Sequence, residues 1–169
     1  MNQTVLDAIF QRRSIREFTE SSVDRESLRE IIRAGTWAPS GLNNQPWRFI
    51  SVVDPAVIAE LSGQTRYGKV VKAAPALIAL FLDRREMYNE VKDHQAAGAC
   101  LQNMLLATEA LGLGAVWLGE ILNRKDEVNR ILGLDQNYDL MAVIALGHPA
   151  HRRQQSRRKS LNEVIIKEL

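Results

Sequence analysis

Apolar residues recur at helical spacing where the chain begins: Val5, Leu6, Ile9 and Phe10 form one stripe and predict a helix over residues 4–11. After a polar gap, Asp24 can cap a second helix carrying Leu28, Ile31 and Ile32, which Gly35 is expected to end. Residues 38–46, APSGLNNQP, are turn chemistry throughout and predict a loop. The run RFISVV (48–53) predicts a strand, the Asp54-Pro55 pair opens a short helix, and ALIALFL (76–82) reads as a buried strand. The longest predicted helix covers residues 93–111, with Gly112 closing it. Its small residues Ala96, Ala97, Gly98, Ala99 and Ala107 would let another helix come close. AVWL (115–118) predicts a short strand, residues 123–133 a capped helix ending at Gly133, and LMAVIAL (140–146) a central strand. Ser160 and Glu163 have capping-box spacing and would open a C-terminal helix through Val164, Ile165 and Ile166. This order predicts an α/β or α+β sandwich; it leaves the strand directions open.

Composition adds limits more than detail. A chain of 169 residues with 46% hydrophobic and 25% charged content suits one globular domain over residues 1–169. A net charge of +2 gives no reason to expect general polyanion binding, so basic residues matter only where they cluster. Cys100 stands alone and suits a reducing compartment. The start MNQTVLDAIFQRR is too polar for a secretory core, and no apolar run approaches the ~20 residues that span a bilayer. A soluble cytoplasmic protein with no membrane partner is expected. GLGAVWLG (112–119) begins like a dinucleotide fingerprint, but Trp117 takes the third glycine position, and the segment leaves a helix to enter a strand, the reverse of the required context. His94, His148 and His151 lack further ligands nearby, so no metal site is expected.

Three features carry candidate chemistry. QRRSIREF (11–18) places Arg12, Arg13 and Arg16 within five residues with no acid among them. HRRQQSRRKS (151–160) supplies Arg152, Arg153, Arg157, Arg158 and Lys159. Each could be a solvated basic surface. The second could also be a weak nucleic-acid patch, although no aromatic residues interleave for stacking. Arginines from opposite ends of the chain could instead converge on one phosphate, which guanidinium forks bind bidentately. The third feature is the loop 39–47, where Ser40, Asn43, Asn44 and Gln45 lie between Pro39 and Pro46. These side chains could bond their own backbone, or read the polar edge of a planar ligand.

RRSIREF, APSGLNNQPWRF, LGLGAVWLG, ALGHP and RRKSLNEVI occur in the order and spacing of FMN-dependent nitroreductases, which the chain resembles over essentially its whole length. The resemblance implies a central mixed, mostly antiparallel sheet flanked by helices, in an intertwined homodimer. It assigns the FMN phosphate to Arg12 and Ser14 with help from Arg13, and later in the chain to Arg157 and Arg158. Arg16 is placed near N1 and O2 of the isoalloxazine. Pro39, Ser40, Gly41, Asn43 and Gln45 are expected from the partner subunit. Trp117, Leu118 and Gly119 would pass along one ring face, with a backbone N–H offered toward N5, so that Arg16 and Gly119 act closest to the chemistry. The implied reaction passes hydride from NAD(P)H through flavin N5 to a nitroaromatic, quinone or similar acceptor in a ping-pong cycle. Related activities are reductive dehalogenation and flavin fragmentation; a flavin carrier without turnover is a further reading, and nucleic acid is not an expected partner.

The sequence departs from that pattern in four places. Gly41 stands where a second serine is common, His148 replaces a usual tyrosine, and Ser156 stands where lysine is frequent. The chain is also short between residues 64 and 93, where longer relatives cover the pocket.

Overall fold

The computed structural model describes residues 4–169; the polar start discussed above includes residues 1–3, which lie outside the described residues. Two helices lead: α1 (Val5–Gln11), opened by a capping box between Thr4 and Asp7, and α2 (Arg25–Thr36), capped by Asp24. There follow β1 (Trp47–Val52), α3 (Pro55–Ser62), α4 (Gly68–Ala73), β2 (Ala76–Asp83), α5 (Glu90–Ala110), β3 (Gly114–Leu118), α6 (Lys125–Ile131), β4 (Tyr138–Gly147) and α7 (Leu161–Val164). The strands pair antiparallel in the order β1-β2-β4-β3, while a parallel bridge joins Ser14 to Ala115 on the outer edge of β3. Among the described residues no helix is long and apolar enough to cross a membrane.

The two apolar runs lie at the centre because both their faces are covered. Along β2, Ala76, Ile78, Leu80 and Leu82 meet α2 and α5 on one face. Leu77, Ala79 and Phe81 meet the layer of α3, α4 and α6 on the other. β4 alternates in the same way, and its parity changes at a bulge opposite Leu80 and Phe81. The result is an α+β sandwich.

Three local expectations need correction. Gly35 does not end α2: the helix continues through Thr36, and Gly35 lies buried against α5, where an added Cβ would come within 2.7 Å of Met104 Cγ and 3.0 Å of Cys100 Sγ. The small residue that admits the neighbouring helix therefore comes from α2, whereas a Cβ on Gly98 would meet nothing. α5 begins at Glu90, three residues earlier than expected, because Asn89 accepts a hydrogen bond from the Lys92 N–H as its N-cap. The Ser160–Glu163 capping box forms, but the helix stops at Val164 with every residue from 161 to 169 exposed. A single turn without an apolar surface to pack on has little to extend it. Cys100 is fully buried, and burial pushes its thiol up to about 12.

Gly114 lies where the N-terminal segment crosses β3, and a Cβ there would fall 2.7–2.9 Å from the buried Ile15 side chain. Gly114→Val is expected to destabilise the protein by roughly 1–3 kcal/mol through overpacking, read as a lower urea midpoint. An unchanged midpoint would show that this crossing yields easily.

Candidate functional site

Backbone pairing brings the two ends of the chain together. Beside the Ser14–Ala115 bridge, the Ile15 N–H donates to the Ala115 carbonyl at 2.9 Å. Residues 17–19 then pair with the segment leaving β4. The Thr19 N–H donates to the His148 carbonyl at 2.9 Å and the Ala150 N–H to the Glu17 carbonyl at 3.0 Å, around a Phe18–Pro149 bridge. His151 extends the contact, its Nε2 lying 3.4 Å from Glu17. Its Nδ1 accepts from the Arg153 N–H at 3.4 Å and has the Gln154 amide 3.2 Å away. Arg152 is no solvated cation: Nη1 donates to both oxygens of Glu109 at 2.8 and 3.0 Å, and Nη2 to the Leu113 carbonyl at 3.1 Å.

These ties leave a cavity of about 350 Å³ lined by residues from both basic clusters: Arg12, Arg13, Ser14 and Arg16 from one, Gln154, Gln155, Ser156 and Arg158 from the other. Among the described residues no carboxylate lines it. Arg13 spends Nη1 on the Phe10 and Arg12 carbonyls at 2.6 and 2.9 Å, and Arg16 Nη1 donates to the Ser14 carbonyl at 3.3 Å. The Nε atoms of Arg12 and Arg13 and Oε1 of Gln154 are buried with no hydrogen-bond partner among the described residues. Burial pulls the pKa of Arg12 down, and the charges of Arg158 and Arg13 add to the effect, against an opposing pull from Glu109. Unsatisfied guanidinium donors held against like charge suit an anion with several acceptor oxygens, and a phosphate monoester fits that description.

Other expected site residues lie outside this lining. Arg157 borders an adjacent cavity with Arg158, Lys159 and Glu163. Trp117 and Leu118 end β3, the strand that Ser14 and Ile15 flank, and Gly119 follows it; Trp117 is exposed and Leu118 is buried. Pro39, Ser40, Gly41, Asn43 and Gln45 do not line the cavity of their own chain. Their loop contains a short 3₁₀ turn, Gly41–Asn43, with Leu42, Asn43 and Gln45 at φ of 54°, 55° and 46°. Asn44 commits its Nδ2 within the fold, donating to Asp93 at 2.8 Å and to the Glu86 carbonyl at 3.0 Å. The sequence reading missed Gln154 and Gln155 as lining residues, although two amides flanked by arginine pairs were a usable signal.

Glu120, directly after Gly119, was also missed. Its carboxylate accepts from Thr65 Oγ1 at 2.7 Å, the Arg66 N–H at 2.8 Å and Arg66 Nε at 3.0 Å. It thus staples the turn before α4 to the end of β3.

Comparison with known proteins agrees with this architecture. The family model described as the nitroreductase family matches residues 9–66 and 56–148. A Desulfovibrio desulfuricans nitroreductase, solved in complex with FMN, superposes with a TM-score of 0.94 at 52% identity, covering 100% of this chain and 99% of its own. The NADPH:FMN oxidoreductase of Vibrio harveyi, solved with NAD⁺, gives a TM-score of 0.89 at 26% identity over 98% of this chain and 77% of its own. An Archaeoglobus fulgidus protein named as an NADH dehydrogenase/NAD(P)H nitroreductase is 33% identical over 147 residues, 85% of this chain and 84% of that protein. The fold is thus that of the nitroreductases. The chain belongs to the nitroreductase family.

The Thr65 and Arg66 hydrogen bonds hold Glu120 at about 2, down from the ordinary 4.5. A lowered native pKa means the staple contributes fully above 4.5 and is lost as pH falls through about 2. The Arg66 amide resonance is therefore expected to stay fixed from neutral pH to about pH 4 and to move below that, while Glu120→Gln should move it at every pH. A resonance that shifts near pH 4.5 in the native protein would contradict the staple.

Proposed function

We propose that this chain is an NAD(P)H-dependent FMN oxidoreductase whose phosphate site is the arginine cavity. The observation that carries the reading is that Arg12 and Arg158, from opposite ends of the chain, line one cavity in which, among the described residues, no carboxylate appears and the buried Nε atoms of Arg12 and Arg13 have no hydrogen-bond partner. Relatives named as NADPH-flavin oxidoreductase and FMN reductase support it.

Arg12, Arg13 and Arg158 hold the phosphate, with Ser14 and Ser156 offering hydroxyls beside them and Gln154 an amide. Arg157 contributes charge from the next cavity without lining this one. Arg16 places a cation at the pyrimidine edge of the ring and favours the state in which that edge is negative. Gly119 presents its backbone N–H, with Trp117 and Leu118 leading up to it along β3. Bound FMN supplies the redox chemistry, accepting hydride from NAD(P)H and passing it to a nitroaromatic, quinone or similar acceptor. Donor and acceptor occupy the same space in turn, which gives ping-pong kinetics and requires no nucleophile from the chain.

A second copy completes the site by lending Pro39, Ser40, Gly41, Asn43 and Gln45. In one copy Phe10, Trp37 and Leu42 are 69%, 81% and 86% exposed, and the apolar residues Leu161, Val164, Ile165 and Ile166 are exposed as well. Apolar surface of that extent favours association.

The purified protein is expected to be yellow and to bleach anaerobically on adding NADH or NADPH; a colourless protein that takes up no FMN would end the proposal. Each charge-assisted hydrogen bond is worth roughly 1.5–3 kcal/mol. Arg12→Ala and Arg158→Ala should therefore each raise the Kd for FMN by about ten- to a hundredfold. Arg16→Ala should instead lower the midpoint potential by about 20–90 mV, the two-electron equivalent of one cation ~4 Å away. FMN affinity unchanged from the native protein in both of the first two variants would remove the two-ended site.

A further inference from the structure

The loop that carries residues 39–45 holds three non-glycine residues in the left-handed region, which most side chains avoid. Backbone of that kind persists where its surroundings fix it, and here they converge on one buried carboxylate. Asp93, in the first turn of α5, is fully buried, and among the described residues no lysine or arginine pairs with it. Its Oδ1 accepts from Asn44 Nδ2 at 2.8 Å, and its Oδ2 accepts from the Tyr88 and Asn89 N–H groups, both at 2.9 Å. Asn44 belongs to the loop. Tyr88 reaches it too, because its phenol packs on Gly41 in the space that a Cβ would occupy. The carboxylate thus grips the loop directly through Asn44 and from the other side through Tyr88. Inside the loop, Ser40 Oγ accepts from the Gln45 N–H at 3.1 Å, and the Gln45 amide donates to the Asn43 carbonyl at 3.4 Å.

A buried carboxylate that no lysine or arginine pairs is costly, and an apolar contact would close this corner with less desolvation. What the carboxylate adds is direction: two fixed acceptors set both the distance and the rotation of the loop against α5. We infer that Asp93 is a positioning residue, acting through Asn44 and Tyr88 to hold residues 39–45 in the shape that meets the flavin. The inference rests on the proposed assignment of this loop to FMN. Asp93 itself touches neither cofactor nor substrate.

The test compares Asp93→Asn and Asn44→Ala with the native protein by three measurements. These are hydrogen exchange of the loop amides in the FMN-free protein, the Kd for FMN from its fluorescence quenching, and the midpoint potential of the bound flavin. Asn44→Ala leaves Asp93 its two backbone donors and so keeps the start of α5 intact, which covers the case in which Asp93→Asn fails to fold. In each folded variant we expect about tenfold faster exchange at the Gln45 amide, about a tenfold higher Kd, and a displaced midpoint potential. A lower Tm with loop exchange, Kd and potential all unchanged would reduce Asp93 to a stabilising residue and overturn the inference. If the native protein binds no FMN, the functional reading fails, and exchange at Gln45 alone then decides whether the clamp exists.

Discussion

Everything near the arginine cavity depends on a short seam of backbone hydrogen bonds. The Ile15 N–H reaches Ala115, and residues 17 and 19 exchange bonds with residues 150 and 148. The seam uses the open edge of β3 and the exit of β4, so it satisfies backbone groups that an exposed edge would leave to solvent. It also fixes the order in which side chains arrive: Ser14 lies beside β3, while residues 152–158 follow directly from the pairing at 148–150. Close approach is essential. A Cβ on Gly147 would come within 2.6 Å of Pro75, and Ile15 fills the space beside Gly114.

Electrostatics and backbone pairing work against each other in this region. The seam buries Arg12 and draws guanidinium groups together, and burial first, then repulsion from Arg158 and Arg13, pulls down the pKa of Arg12. Glu109 relieves part of that strain while spending its two oxygens on Arg152. The same glutamate therefore anchors the tail and partly screens the cavity. The remaining positive charge faces the cavity, where a dianion would find fixed donors with little rearrangement, the situation in which binding loses least entropy.

Much of the fold was legible because it rests on local signals. The two apolar runs became the two central strands, and Asp24 and Asp54 marked helix starts through side chains that cap amides. α4 escaped notice because six residues including two valines carry no readable period, and Tyr67 provides no side-chain cap. Gly35 was misread for a different reason: a helix-ending glycine and one that admits a neighbouring helix look alike until α5 is placed against it. The meeting of the two basic clusters could be posed from the sequence as a question of phosphate chemistry and from family motifs, but no spacing rule joins residues 12 and 158. The tertiary roles of Asp93 and Glu120 were invisible for the same reason, since Asn44 lies 49 positions from Asp93, and Thr65 and Arg66 lie 54–55 positions from Glu120.

Cys100 lies in the layer between α2 and α5, and burial keeps its sulfur protonated at physiological pH. Nucleophilic attack requires the thiolate, so peroxide or a maleimide finds no reactive group while these helices stay packed. Once α2 lifts away, the same sulfur meets solvent with an ordinary acidity. The chain therefore carries its own chemical gauge of opening in that layer: its rate of alkylation counts how often the sandwich comes apart.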